Sequence, residues 1–187
     1  AKESNLFDEI CVSTDSKEYA KIACEWGASV PFIRDIDLAT DTASSWDVVK
    51  DAITRYKKAE KQFNTVALLQ PTSPLRTAQD IIAGYNKFEE KDANAVVAVC
   101  EVDHSPIWSN TLPPDGSLTN FINYDLVETP RQKLPVYYRV NGALYIVRIE
   151  YLLSTDNIYA DRTFATVMPK LHSIDIDDEM DFRIAEI

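Results

Sequence analysis

Apolar and polar positions along the first hundred residues follow a rhythm of strands and helices. The stretch EICVS at 9–13 sets Ile10 and Val12 two apart and reads as a short strand. Ser16 then precedes a helical pattern that puts Tyr19, Ile22, Ala23 and Trp26 on one inward face, with Gly27 as its stop. Residues 29–32 read as a second strand. A helix over 45–59 turns Trp46, Val49, Ala52, Ile53 and Tyr56 inward. The run TVALL at 65–69 is apolar throughout, which suits a strand covered on both faces. Thr77, with Asp80 three residues on, opens a third helix through a variant of the capping box, and Ile81, Ile82, Tyr85 and Phe88 form its inner face. AVVAVC at 95–100 is another buried strand. This β-α-β-α-β-α-β order predicts an α/β protein of three layers with a mostly parallel sheet. Ligands of such sheets sit beyond the carboxyl ends of the strands.

After Cys100 the rhythm changes. Pro106, Pro113, Pro114 and Pro130 interrupt the chain, and PPDG at 113–116 signals a turn. Short strands are expected at 136–139, 142–147 and 164–168. We read 105–140 as an inserted arm off the main sheet, within one domain spanning 1–187. The segment SIDID at 173–177 reads as a strand, and a short amphipathic helix follows from near Asp178. Residues 1–7 read as the tail of a helix running into the fold, with no opening strand and phosphate-binding turn before it.

A chain of 187 residues, 45% hydrophobic, can bury a real core. Its net charge of −11 argues against a nucleic-acid binder, which would carry a basic face. An acidic chain handling a polyanionic nucleotide needs a metal ion and a few placed cations. No apolar run is long enough for a membrane helix, and no leader opens the sequence. Cys11, Cys24 and Cys100 are odd in number and widely spaced, so they read as buried free thiols rather than a disulfide framework or zinc site. His104 and His172 have no partner at ligand spacing and read as structural or surface residues.

Four segments could carry chemistry. In LLQPTSPLR at 68–76 a buried strand ends at Gln70, and Thr72, Ser73 and Arg76 follow in a Pro-bounded loop where a ligand is expected; an ordinary connecting loop would look the same. In SIDID, Asp175 and Asp177 share one side of an extended chain, and two adjacent carboxylates suit Mg²⁺. The alternative is that Asp177 or Asp178 caps the last helix. Arg131 and Arg139, with Asn141 and Gly142, could bind carboxylate or phosphate or could make surface ion pairs. Arg34 and the DTASS stretch at 41–45 could hold a ligand or merely open the helix at Trp46.

Taken in order, LATDTASS (38–45), LLQPTSPLR (68–76), PRQKLP with RVNGALYI (130–146) and SIDIDDEMD (173–181) resemble the acylneuraminate cytidylyltransferases, or CMP-sialic acid synthetases, from about Asp8 to the C-terminus. The resemblance implies a Rossmann-like, glycosyltransferase-A-like nucleotidyltransferase fold. It implies coupling of CTP to a nonulosonic acid, giving the CMP-sugar and pyrophosphate, in a cytoplasmic homodimer joined through the inserted arm. By the same resemblance, Asp175 and Asp177 would be catalytic and hold Mg²⁺, and Arg34, Ser45 and Thr72 would contact the nucleotide. Gln70, Arg131 and Tyr145 would line the sugar pocket, with Arg139 and Asn141 supporting that wall. Trp108 stands where some relatives carry lysine, and Ile158 and Tyr159 where some carry paired aromatics. The family's N-terminal strand and its Ala-Arg-x-Gly-Ser-Lys-like loop have no counterpart in the sequence, which implies little or no turnover by this polypeptide. A non-catalytic assembly module on the same fold, or a cytidylyltransferase for another sugar acid such as ketodeoxyoctonate, are the alternatives.

Overall fold

The computed structural model describes residues 1–40, 43–122 and 134–187. Among them four strands make one sheet: β1 (Thr65–Leu68), β2 (Ala95–Glu101), β3 (Tyr138–Arg148) and β4 (Thr163–Val167), in the order β1-β3-β2-β4. Strand β3 runs antiparallel to both β1 and β2, while β2 and β4 are parallel. Three strands therefore share a direction, as the β-α-β rhythm requires. The sheet is nonetheless mixed, a correction to the mostly parallel expectation. The helix between β1 and β2 crosses one strand position, and β3 enters that gap later from the opposite direction.

The helices are α1 (Lys17–Glu25), α2 (Ser45–Lys58), α3 (Ala78–Glu90), α4 (Ile149–Ser154) and α5 (Glu179–Ala185). Their starts follow from side chains that satisfy free backbone N–H groups. Ser16 accepts from Tyr19 N–H, Ser44 from Trp46 N–H, and Thr77 and Asp80 form a complete capping box at α3. Two apolar clusters sandwich the sheet. Ile81 and Phe88 of α3 pack with Val96, Ala98, Leu144 and Ile146 on one face. Val49 of α2 packs with Val97, Val147, Leu152 and Ile158 on the other. Odd and even residues of β2 and β3 thus serve opposite cores, which is the pleat's period of two. The three-layer α/β/α class expected from the sequence is present.

Several elements differ from expectation. The stretches 9–13 and 29–32 form no ladder; one parallel bridge, Cys11 to Ser29, joins them, and Pro31 removes a donor there. Helix α1 buries none of its residues: Trp26 is 80% exposed, and Tyr19 and Ile22 also face solvent. Its apolar face is real in sequence but nothing among the described residues covers it. Cys24, on the same helix, is exposed rather than buried. The two short strands expected at 136–139 and 142–147 are one continuous strand, and Tyr138–Val140 pair with β2, so the arm's end lies in the sheet rather than off it. Residues 173–177, expected as a strand, pair with no strand; Ser173 closes a 3₁₀ turn at Lys170–His172, and 2–4 form a single 3₁₀ turn. No helix among the described residues is long and apolar enough to cross a membrane.

Candidate active site

Strand β1 ends at Leu68 and the chain leaves the sheet through Gln70–Arg76, where ligands are expected beyond the strand's carboxyl end. This loop is fixed from inside. Ser73 is completely buried, and its Oγ donates to the Asn141 carbonyl at 3.4 Å. Arg76 Nη1 donates to the carbonyls of Gln70, at 3.4 Å, and Ala143. Burial pulls the Arg76 guanidinium below its usual range, and nearby Asp80 opposes that shift.

Strand β3 meets the loop with an irregularity. Between Val97 and Val99 of β2 the partner register runs from Tyr145 to Val140, so 141–144 bulge opposite Ala98. Gly142 sits in this bulge with φ +73°. A Cβ on Gly142 would lie 2.5 Å from Gln70 Oε1, 3.4 Å from Asp175 Oδ2 and 3.6 Å from Ser73 Oγ. Three polar side chains from two distant parts of the chain, the 70–76 loop and the 173–177 segment, thus converge on one glycine.

Asp175 arrives from the 173–177 segment, which is tied down where Ile176 N–H donates to the Thr72 carbonyl at 2.8 Å. Its Oδ1 is buried without a hydrogen-bond partner among the described residues. A buried carboxylate oxygen left bare is costly, so this one fits a cation or a ligand donor. Asp177 is exposed. The capping task belongs to Asp178, which accepts from Met180 and Asp181 N–H while Asp181 accepts from the N–H groups of Asp177 and Asp178. Tyr145 packs edge-on against Trp46, ring centroids 5.6 Å apart. Burial, then Tyr159 and Asp175, push its phenol up to about 12, which keeps it protonated and a donor at neutral pH.

Beside Gln70 lies a cavity of about 950 Å³ between the 8–13 stretch, α2 and β1. Arg34, Ser45, Gln70 and Thr72 all line it. Arg34 reaches Asp15 at 3.5 Å, while its Nε is buried without a partner among the described residues. Glu9 on the wall is held as a paired carboxylate: hydrogen bonds from Ser29, then Lys61, hold its carboxyl below the usual range, with Tyr56 also donating.

The structure therefore groups Gln70 with Asp175, and Arg34, Ser45 and Thr72 with the cavity. Arg139 and Asn141 lie behind the site: Arg139 Nη2 donates to the Ser173 carbonyl at 3.0 Å, and Asn141 is fully buried with its amide engaged by Ser173 and Ala143. Arg131, with Asp41 and Thr42, lies outside the described residues. Gly142, named in the sequence beside Asn141, serves the site by leaving room for Gln70 and Asp175, while Ser173 has no role that the sequence alone discloses. An Asn-Gly pair inside an otherwise apolar strand was the available signal. Among the described residues no cluster of three or more His, Cys, Asp or Glu could hold a metal alone.

The sequence pattern of the cytidylyltransferase family matches residues 1–182. The chain belongs to the cytidylyltransferase family. Members of this family are nucleotidyltransferases. The chain is 34% identical over 187 residues to post-translational flagellin modification protein B of Campylobacter coli, covering all of this chain and 79% of that protein. It is 32% identical to the CMP-N,N'-diacetyllegionaminic acid synthase of Legionella pneumophila, covering all of this chain and 80% of the relative. With the N-acylneuraminate cytidylyltransferase of Escherichia coli O18:K1:H7 it shares 34% identity over 99% of this chain and 43% of that longer protein. A solved CMP:2-keto-3-deoxy-manno-octonic acid synthetase, complexed with CTP, superposes with a TM-score of 0.61 over 99% of this chain and 84% of its own, at 12% identity. That likeness shows a shared α/β fold.

Proposed function

We propose that this cytidylyltransferase domain joins CTP to a nine-carbon nonulosonic acid, yielding the CMP-sugar and pyrophosphate. The observation that carries the reading is the Asp175 carboxylate at the end of β1 and beside the cavity: its Oδ1 is buried and bare, and its Oδ2 converges with Gln70 on Gly142. In this reading the cavity takes the cytidine nucleotide. Arg34 offers an unpaired buried N–H to it, and Ser45 and Thr72 offer hydroxyls. The sugar acid lies toward Gln70 and the Tyr145 phenol, and the family resemblance assigns its carboxylate to Arg131. The anomeric hydroxyl of the sugar attacks the α-phosphorus; the bond to the β-phosphate oxygen breaks, and pyrophosphate leaves.

Asp175 and Asp177 are the residues that would hold Mg²⁺. One or two carboxylates completed by substrate phosphate oxygens is the usual Mg²⁺ arrangement, and it agrees with a site that has too few protein ligands by itself. When bound, the ion neutralises charge on the phosphoryl oxygens. Asp175 itself orients the sugar hydroxyl and accepts its proton. We further propose a cytoplasmic homodimer formed through the arm at 105–140.

Calorimetry tests the central claim. CTP should bind in a manner that requires Mg²⁺, and Asp175→Asn should abolish it. CTP binding that ignores the metal, or none at all, would reject the reading. Pyrophosphate release across a panel of neuraminic-, legionaminic- and pseudaminic-type acids and ketodeoxyoctonate then assigns the sugar.

A further inference from the structure

The segment that delivers Asp175 has no ladder of backbone bonds to hold it, since 173–177 pair with no strand. What holds it instead is Ser173. This residue is 1% exposed, and each of its polar groups is bonded. Its N–H donates to the Lys170 carbonyl at 2.9 Å. Its Oγ donates to the Pro169 carbonyl at 2.8 Å and accepts from Asn141 Nδ2 at 2.9 Å. Its carbonyl accepts from Arg139 Nη2 at 3.0 Å. Asn141 completes the link by accepting from Ala143 N–H at 3.1 Å.

The backbone is thus pinned two residues before Asp175 at Ser173, and one residue after it by Ile176 bonding Thr72. Both pins lead back to the same site. Asn141 and Ala143 flank Gly142, and Thr72 follows Gln70 by two positions. A side chain with a bare buried oxygen is stable in place only if its backbone cannot relax away, and these bonds remove that freedom.

We infer that Ser173, with Arg139 and Asn141 behind it, is a positioning residue that aims the Asp175 carboxylate at the Gly142 cleft, where a divalent cation is held. The inference rests on the cation role given to Asp175 above. Groups that orient a ligand from behind typically change metal affinity by about 10–100-fold when removed.

The test is Mn²⁺ titration of the whole chain with CTP present, read against Mn²⁺ and CTP without protein and followed by the paramagnetic resonance signal of free Mn²⁺, together with amide hydrogen exchange at Ile176. The wild type should bind, and Asp175→Asn should not. Ser173→Ala should weaken binding roughly tenfold or more and speed exchange at Ile176. A loss of overall stability alone would leave Mn²⁺ affinity unchanged well below the melting temperature. If Ser173→Ala does not fold, Arg139→Met removes only the carbonyl's partner and should move both readouts in the same direction. Wild-type Mn²⁺ affinity and unchanged Ile176 exchange in these variants would overturn the inference. A wild type that binds no Mn²⁺ would instead reject the cation role, and Ile176 exchange in Ser173→Ala would then decide whether the positioning stands without it.

Discussion

Gly142 has no Cβ, and the site has no room for one. At φ +73° an L side chain is strained, and the added atom would meet Gln70 Oε1 at 2.5 Å. Forcing a substituted residue into that region costs about 1–2 kcal/mol before any clash is counted. Gly142→Ala should therefore lower the unfolding free energy measured in urea by that order and displace Gln70, so Mg²⁺-dependent CTP binding should weaken as well. A variant as stable as wild type with intact binding would show that the bulge tolerates a side chain. Asp80 sets a second residue-scale expectation. Burial would raise its pKa, but both Thr77 bonds and His172, whose Nδ1 lies 2.9 Å from Oδ2, outweigh that and hold the carboxyl below its ordinary range. A depressed folded-state pKa stabilises the fold at pH values above the unfolded value, about 3.9. That contribution disappears as pH falls through the folded value. Urea midpoints measured from neutral pH into this acid range should drop less steeply for Asp80→Asn than for wild type; parallel curves would show that another carboxylate governs the acid limb.

The helices show how differently equal sequence patterns can be used. α1 and α3 both carry an apolar stripe at helical spacing, yet Phe88 of α3 is 1% exposed and α1 buries nothing. Phe88→Ala should cost about 3–5 kcal/mol, the usual range for emptying a buried aromatic site. Tyr19→Ala on α1 should stay within about 0.5 kcal/mol, as for other surface changes. Chemical denaturation of the two variants checks the contrast, and a large loss from Tyr19→Ala would mean that α1 is covered in solution. The same pair marks what the sequence could convey. Threonine followed three residues later by aspartate disclosed the start of α3, because capping is local chemistry. Periodicity disclosed which face of α1 is apolar, but not whether another element meets it. Likewise 9–13 had a strand's alternation and formed only a bridge, since a ladder depends on its neighbour. The sequence reads strand β3 as two pieces, 136–139 and 142–147, and the break at 140–141 falls at the edge of the bulge the site is built on. Direction was illegible for the same reason: side-chain pattern reports faces, and partners arrive from distant segments. Of the site, Gln70 and Asp175 were legible as chemistry at a strand's end, whereas Ser173 was not, because its role exists only through bonds to Arg139, Asn141 and Pro169.

At the scale of the whole molecule, charge and exposed apolar surface oppose one another. The chain carries a net charge of −11, and two copies repel at distances set by the ionic atmosphere. Among the large exposed apolar side chains, Trp108, Leu112, Leu118, Val136, Tyr138 and Val140 lie within the arm at 105–140. Apolar surface of this kind marks an association site more often than it marks bare surface. If copies meet through it, their attraction is short-ranged and indifferent to salt, while their repulsion is long-ranged and screened. The screening length falls from about 30 Å at 0.01 M salt to about 8 Å at 0.15 M. Dimerisation should therefore strengthen as salt is raised over this range, opposite to an interface held by ion pairs. Sedimentation velocity of the wild type and of Leu112→Ser/Leu118→Ser at both salt concentrations separates the cases. The wild type should shift toward dimer with salt and the double variant should shift less. A dimer that weakens with salt would place the contact on charged surface instead, and a monomer throughout would remove the arm's proposed role while leaving the site on β1 and β3 untouched.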